Sequence, residues 1–256
     1  MNPPSPFILL AESGATVVAY ILLIAGPLLA LLFFYLWRKA KRTRDLMTAT
    51  ETSPIGQLTE GPAEVRGSTA TSEEPLISPW RQQPCVHYCF HVQQRRSSTN
   101  SKGHTSHHWV TYIKDEKTLP FLVKDETGQA VVDSSKIKFV INQDRFSRSG
   151  LMNDADTDLQ QLLETRYNKK TEGWMFNKTL KYTETALELD EEVYVFGDAS
   201  RLGGAWVLRD GEMPLIVSDK GGAAIEKSFS TRVVVFGVLA LVFAAVGCGG
   251  AYMLVN

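Results

Sequence analysis

The chain has 256 residues, of which 44% are hydrophobic and 21% are charged, and its formal net charge is −1 at pH 7. A net charge so close to zero gives no reason to expect nucleic acid or an acidic partner as a bulk electrostatic effect. Three cysteines are too few for a disulfide framework, and Cys248 lies inside an apolar run, so we expect a reducing compartment. The hydrophobic residues are concentrated at the two ends of the chain.

The first apolar segment, residues 15–37, consists almost entirely of apolar or small residues. A helix of this length rises about 34 Å, which is enough to cross a hydrocarbon core of about 30 Å. We therefore predict a transmembrane helix, preceded by a short non-cytoplasmic segment of residues 1–14. A cleaved signal peptide is the alternative, but the apolar stretch is too long and no Lys or Arg precedes it.

Basic residues flank both apolar segments on the side that faces the middle of the chain. The second segment, residues 233–255, is preceded by Lys227 and Arg232, and nothing basic follows it. The cluster directly after the first segment contains Arg38, Lys39, Lys41, Arg42 and Arg44. By the positive-inside rule, the residues between the two segments are cytoplasmic, and the cluster also suits anionic lipid headgroups. We expect a multi-pass protein of a prokaryotic plasma membrane or a eukaryotic organelle outer membrane, with the sequon at Asn177 unglycosylated.

Between the membrane segments the sequence predicts a linker and one β domain. Residues 38–60 form the basic juxtamembrane segment and a linker rich in Thr, Ser, Glu, Gly and Pro. Residues 61–226 contain short alternating runs typical of strands, a polar hairpin tip or loop at 93–106, and an amphipathic helix that opens at Asp156. The strands are predicted at 63–69, 85–92, 108–114, 192–197, 206–209 and 215–218, and the helical stripe is Leu159, Leu162 and Leu163.

The centre of this domain is a predicted β-hairpin within residues 119–141. Asp125, Glu126 and Asp133 suggest a paired-acid site, but we favour a turn, with Asp125 forming an Asx-turn and Gly128 supplying a positive φ. Short strands with one inserted helix predict a mainly β fold, a small OB-like or partly open β-barrel flanked by two transmembrane α-helices. A β-sandwich is the alternative.

The run CVHYCFHV carries the strongest constellation of metal-ligating side chains. Cys85, His87, Cys89 and His91 are spaced by two, so in a strand all four project from one face. With the histidines beyond the loop they suggest a zinc or redox site. Those histidines are His104, His107 and His108. Neighbours on one face of a strand are about 6 to 7 Å apart, whereas zinc donors lie within about 4 Å of each other. We therefore favour an ordinary strand packed on the core by its other face, and expect neither metal nor cofactor.

Patterns for catalysis and for nucleic-acid binding are weaker still. The sequence has no nucleophile elbow and no glycine-rich phosphate loop, so we expect no catalytic residue. A nucleic-acid-binding surface is expected to show basic residues interleaved with exposed aromatics. The only sequence feature of this kind is KIKFVI together with Arg145 and Arg148, so we expect no nucleic-acid partner. The functional surface is expected on the loops around His104 and Arg145.

Small residues recur in the second membrane segment at the spacing of one helix face. They are Ala240, Ala244, Gly247 and Ala251. This spacing predicts packing against the first helix or against a partner, including self-association. A membrane helix that is simply rich in Ala and Gly is the alternative.

Several ordered blocks resemble one known family. The blocks are Ser78–Tyr88, His108–Trp109, Pro120–Asp133, Tyr182–Leu187, Glu192–Ala199 and Leu215–Lys220, followed by the closing membrane segment. From about Gly56 to Asn256 the chain is similar to the GIDE domain family, also called the beside-a-membrane domain. The resemblance implies a domain that lies between two membrane helices.

In the family's best-known members, the mitochondrial and plastid membrane-anchored ubiquitin ligases, a cytosolic RING finger follows this domain. A RING finger needs Cys and His ligands for two zinc ions, and only Asn256 follows the second apolar segment, so we expect no RING finger here. The resemblance thus assigns ligase chemistry to no residue of this chain. Shorter relatives without a RING finger are typical of prokaryotic members, for which an interaction or sensing role is usually inferred.

The expected function is an interaction scaffold: a two-pass membrane protein whose cytoplasmic GIDE-like domain binds a protein or ligand at the membrane surface, without catalysis of its own. Its expected partners are the lipid bilayer and a protein at the cytoplasmic face. One alternative is a component of a ubiquitin-protein ligase system that acts with a separate RING subunit. Another is a metal or redox sensor that uses Cys85, Cys89 and the nearby histidines.

Overall fold

The computed structural model describes residues 6–142, 144–148, 157–169 and 179–255. The chain divides into Met1–Ala49 with Gly222–Asn256, which we call the helical unit, and Thr50–Gly221, which we call the β unit. The helices are α1 (Pro6–Ala49), α2 (Thr157–Tyr167) and α3 (Gly222–Val255). The strands are β1 (Gly61–Ala70), β2 (Leu76–Ile77), β3 (Pro84–Thr99), β4 (Thr105–Thr118), β5 (Phe121–Lys124), β6 (Gln129–Val132), β7 (Lys138–Val140), β8 (Arg145–Arg148), β9 (Leu180–Glu188), β10 (Glu192–Leu202), β11 (Ala205–Arg209) and β12 (Ile216–Ser218).

The helical unit contains two helices long and apolar enough to cross a membrane, within Thr16–Ala49 and Ile225–Val255. α1 continues beyond the apolar segment, through the basic cluster, to Ala49. Residues 38–49 contain neither Pro nor Gly and are rich in Arg, Lys, Leu, Met and Ala, which favour helix. The predicted juxtamembrane segment is therefore a continuation of the first helix.

α1 and α3 pack against each other where glycines let their backbones approach closely. A Cβ added at Gly26 would lie 2.6 Å from the backbone nitrogen of Gly247, and one added at Gly247 would lie 2.8 Å from Cδ of Pro27. Gly247, from the predicted stripe of small residues, thus packs against the first helix. The rest of the stripe lines an open apolar groove beside this contact: Ala240, Ala244 and Ala251.

The β unit contains a closed five-stranded barrel. Its strand order is β1, β5, β6, β11, β10, and pairing between β10 and β1 completes the ring. β12 and β7 extend the same sheet from β10. The core consists of inward apolar side chains that include Val65, Phe121, Val123, Val132, Val195 and Leu208. The predicted central hairpin forms β5 and β6, and the predicted β-barrel is confirmed.

The residues before β1 belong to the β unit rather than to a flexible connection. Ile55 and Leu58, in the stretch that the composition assigns to a linker, are buried in the barrel core. The Ile55 N–H donates to Asp125 Oδ2 at 2.7 Å, and a 3₁₀ turn follows at Ile55–Gln57. Gly128 does not have the predicted positive φ, and its N–H instead donates to Asp125 Oδ1 at 2.8 Å. The Asp125 turn therefore closes the hairpin and also holds the chain that enters the barrel.

A second sheet has the order β2, β3, β9, β8, with β4 paired to β3. β3 ends at Thr99 and β4 begins at Thr105. Most of the polar run predicted as a loop is therefore strand. The turn between them is closed by Asn100, whose Oδ1 accepts from the N–H groups of Lys102 at 3.0 Å and His104 at 2.9 Å. The result is a long hairpin with an exposed tip.

Helix α2 covers one face of this second sheet. Leu159 and Leu163 are fully buried against Phe90, Val92 and Tyr182 of β3 and β9. The predicted leucine stripe is confirmed as the packed face of the helix, whereas Asp156, predicted to open it, lies outside the described residues. The other face of the sheet remains uncovered by α2.

Candidate functional site

A β-bulge separates the cysteines and histidines of β3. The register against β9 shifts between Cys85 and His87, so one extra residue interrupts the alternation. Cys85 packs beside Tyr88 and Ala186, whereas Val86 joins the barrel core. The prediction that all of Cys85, His87, Cys89 and His91 project from one face is therefore wrong, because Cys85 shares the face of Tyr88.

The environments of His87 and Cys85 are those of core residues. The imidazole of His87 stacks on Phe139 with ring centroids 3.6 Å apart, and its Nδ1 lies 2.8 Å from Thr118 Oγ1. Burial lowers the pKa of His87 to about 4, so this ring is neutral at pH 7. Burial, with smaller effects of Glu184 and Glu188, raises the pKa of Cys85 to about 12, which disfavours the reactive thiolate. Among the described residues, no three His, Cys, Asp or Glu side chains are grouped to hold a metal ion.

A buried carboxylate fixes the turn before β3. Glu184 is fully buried and accepts hydrogen bonds from the backbone N–H groups of Trp80 at 2.6 Å and Arg81 at 2.9 Å. Arg81 pairs with Glu188 at 2.6 Å and with Asp144 at 3.3 Å. Burial raises the pKa of Glu184, and the two backbone donors and Arg81 oppose that effect. We interpret this cluster as structural, and no local sequence pattern predicts it, because its members are distant along the chain.

A second polar network fixes the end of α2 to the sheet. Asp115 of β4 accepts hydrogen bonds from the hydroxyls of Tyr167 at 2.7 Å and Tyr88 at 3.2 Å. Arg166 of α2 donates to Tyr88 at 3.0 Å and to Asp115 at 3.3 Å. Burial raises the pKa of Tyr88 to about 12, so its hydroxyl remains a donor. These contacts, together with the leucines of α2, occupy the face of the second sheet that α2 covers.

The opposite side of the second sheet is the candidate site, and we call it the outer sheet face. It is defined by His91, Arg95, Trp109, Lys114, Phe146 and Lys181. Residues directly opposite each other in antiparallel strands share a face. In one row across the sheet, Lys114, His91, Thr183 and Phe146 are successive partners. In neighbouring rows, Lys181 is opposite Gln93, and Trp109 is opposite Arg95.

The outer sheet face combines positive charge with accessible aromatic rings. Phe146 is 54% exposed and Trp109 is 36% exposed. The ammonium of Lys181 lies 5.8 Å from the ring centroid of Phe146, and Lys114 pairs with Glu116 at 2.5 Å. Burial, followed by the charges of Lys114 and Lys181, lowers the pKa of His91. His91 Nε2 lies 3.0 Å from Thr111 Oγ1.

Both regions expected to carry the functional surface lie on this second sheet. His104 is in the turn between β3 and β4, and Arg145 begins β8. The side chains of Arg145 and Arg148 lie outside the described part of the structure. Sequence reasoning missed Lys114, Phe146 and Lys181, because no local pattern shows that separate strands bring them to one face.

The sequence model of the GIDE family, described as E3 Ubiquitin ligase, matches residues 91–252, which is more than half of the chain. The matched range begins within β3, extends into α3 and includes every residue of the outer sheet face. Searches of the curated proteins and of the solved structures give no match. The family match agrees with the resemblance seen in the ordered sequence blocks, and the chain therefore belongs to the GIDE family.

Proposed function

We propose that this protein is a two-pass membrane protein whose β unit binds another protein at the cytoplasmic face of its membrane, without catalysis of its own. The observation that carries this proposal is the outer sheet face, on which Phe146 and Trp109 are accessible and have Lys181 and Arg95 beside them. Aromatic side chains and Arg are enriched where proteins bind each other. The two long apolar helices support the membrane placement, and their basic flanks support the orientation.

Loss of the exposed ring of Phe146 is expected to remove the partner. We predict that the full chain, purified from its native membranes in mild detergent, retains at least one protein that the Phe146→Ser variant does not retain. Leu202→Ser is the matched control, because Leu202 is 66% exposed in the barrel strand β10 and lies outside the outer sheet face. Equal recovery of all co-purifying proteins by the wild type and Phe146→Ser would contradict the proposal.

Orientation has a separate test at Asn177, which lies outside the described residues. In a eukaryotic host we predict that this NKT sequon carries no glycan, because a cytoplasmic domain does not meet the glycosylation machinery. The measurement is the change in electrophoretic mobility after endoglycosidase treatment. A control protein with a cleavable signal sequence, which forces the β unit into the lumen, establishes that the site can be used. A glycan on the natural protein would reverse the topology.

The family description favours a second candidate function, as a component of a ubiquitin-ligase system that acts with a separate RING subunit. The same purification distinguishes the two candidates. Recovery of a ubiquitin-conjugating enzyme or a RING protein, dependent on Phe146, favours the second candidate. A partner unrelated to ubiquitin transfer favours the first.

A further inference from the structure

We propose that the outer sheet face binds an extended acidic segment of a partner protein. This inference rests on the proposed function and names the chemistry of the partner. Its basis is the arrangement of the cations, the absence of a buried ion pair among the described ones, and the separation of the two aromatic residues.

The cations of the outer sheet face are available to a ligand. Among the described residues, neither Arg95 nor Lys181 has an acidic partner within ion-pair distance. Lys114 pairs with Glu116, but both side chains are well exposed, at 54% and 43%, and such pairs exchange readily with other charges. A ligand carboxylate placed near these groups therefore gains attraction without breaking a buried contact.

The geometry suits a chain that runs across the strands. Trp109 lies in β4 and Phe146 in β8, and the two intervening strands β3 and β9 carry His91 and Lys181. With strands about 4.8 Å apart, β4 and β8 are about 14 Å apart, and the row of Trp109 is four residues, about 13 Å, along the strands from the row of Phe146. The diagonal between the two positions is therefore about 20 Å, which an extended peptide covers in about six residues. Such a peptide can contact a ring near each end and place carboxylates between them.

The number of cations distinguishes this ligand from a nucleic acid or a bilayer. Nucleic acids and anionic membranes present dense arrays of charge, and their binding draws on many cations, about one for each phosphate contacted. Among the described side chains, the outer sheet face has Arg95, Lys114 and Lys181, and Glu116 pairs with Lys114. The strand register adds Arg148 opposite Lys181. A few cations separated by Thr and His side chains match a few carboxylates better than a phosphate backbone. The occupant is thus a short segment with spaced Asp or Glu residues.

The test uses the full chain in nanodiscs of zwitterionic lipid and a fluorescent twelve-residue peptide of alternating Glu and Thr. Fluorescence anisotropy is expected to show binding that weakens as salt rises. The peptide with Gln in place of every Glu is expected to bind at least about tenfold more weakly, as is the Glu peptide to Lys181→Glu or Arg95→Glu. Lys124→Glu, which reverses an exposed barrel lysine, is the matched control and should bind as the wild type does.

Equal affinity for the Glu and Gln peptides, or no binding of the Glu peptide by the wild type, would overturn the inference. Tighter binding of phosphatidylserine vesicles or a single-stranded oligonucleotide, lost in Lys181→Glu and Arg95→Glu, would overturn it in favour of a membrane or a nucleic acid. If the peptide test fails while a co-purified protein still depends on Phe146, protein binding stands and only the acidic character is wrong. If no protein depends on Phe146, the proposed function itself fails.

Discussion

Replacement of Asp125 by alanine is expected to lower the free energy of unfolding of the β unit by about 3 kcal/mol. One carboxylate oxygen accepts from Thr127 N at 2.7 Å, Thr127 Oγ1 at 2.7 Å and Gly128 N at 2.8 Å. The other accepts from Ile55 N at 2.7 Å. Each hydrogen bond to a charged group is worth about 1.5 to 3 kcal/mol when one partner is removed. Because water reaches this turn and replaces part of the lost bonding, we expect a total loss of about 3 kcal/mol for the four bonds.

Chemical unfolding of the full chain in detergent micelles, followed by tryptophan fluorescence, measures this change. Trp80, Trp109 and Trp206 report on the β unit. Glu126→Ala is the matched control, because Glu126 is the exposed neighbouring acid, and its replacement should change the unfolding free energy by less than about 0.5 kcal/mol. Similar losses in Asp125→Ala and Glu126→Ala would show that general turn charge, and not the Asp125 contacts, stabilises the hairpin.

The contribution of Asp125 also has a defined pH dependence. Burial acts to raise the pKa of this carboxyl, but the donors from Ile55, Thr127 and Gly128 outweigh it, and the net pKa is below the usual value. The unfolded chain therefore binds the proton more tightly than the folded protein, so this contribution is full above about pH 4 and is lost as pH falls through the folded pKa. The difference in stability between the wild type and Asp125→Ala should shrink on acidification.

The Asp125 turn shows how far local sequence reasoning reaches. An acidic residue followed by Thr and Gly between two apolar runs correctly predicts the hairpin. The same pattern does not show that Asp125 holds Ile55, because that contact joins residues distant along the chain. For the same reason composition alone assigned Ile55 and Leu58 to a linker, although both fill the barrel core.

The outer sheet face shows where such reasoning stops. Period-two alternation correctly predicts that His87, Cys89 and His91 share a face, but a single extra residue at the β3 bulge removes Cys85 from it. Nothing in the sequence marks that extra residue. Lys181 and Phe146 come from β9 and β8, and their positions depend on strand order and register, which a single sequence does not determine. The barrel class was therefore predictable, whereas the candidate site was not.

Replacement of Gly247 by leucine is expected to destabilise the packing of α1 against α3 by about 3 kcal/mol. A Cβ at Gly247 would lie 2.8 Å from Cδ of Pro27, and Gly26 approaches the Gly247 backbone closely enough that its own Cβ would lie 2.6 Å from it. Overpacking costs about 1 to 3 kcal/mol where neighbouring side chains can adjust. Here the neighbours are backbone and a proline ring, which cannot rotate away, so we expect the upper end of that range.

The measurement is the distance distribution between spin labels at Ile24 and Met253, which are 62% and 61% exposed, in a cysteine-free background in nanodiscs. About 3 kcal/mol corresponds to about a hundredfold shift in the equilibrium between packed and separated helices, so Gly247→Leu should broaden and lengthen the distribution. Gly249→Leu is the matched control, because a Cβ at Gly249 meets nothing within 4 Å. Identical distributions for the two variants would mean that the α1–α3 contact does not depend on close backbone approach at Gly247, and that the recurring small residues of α3 reflect only the composition of a membrane helix.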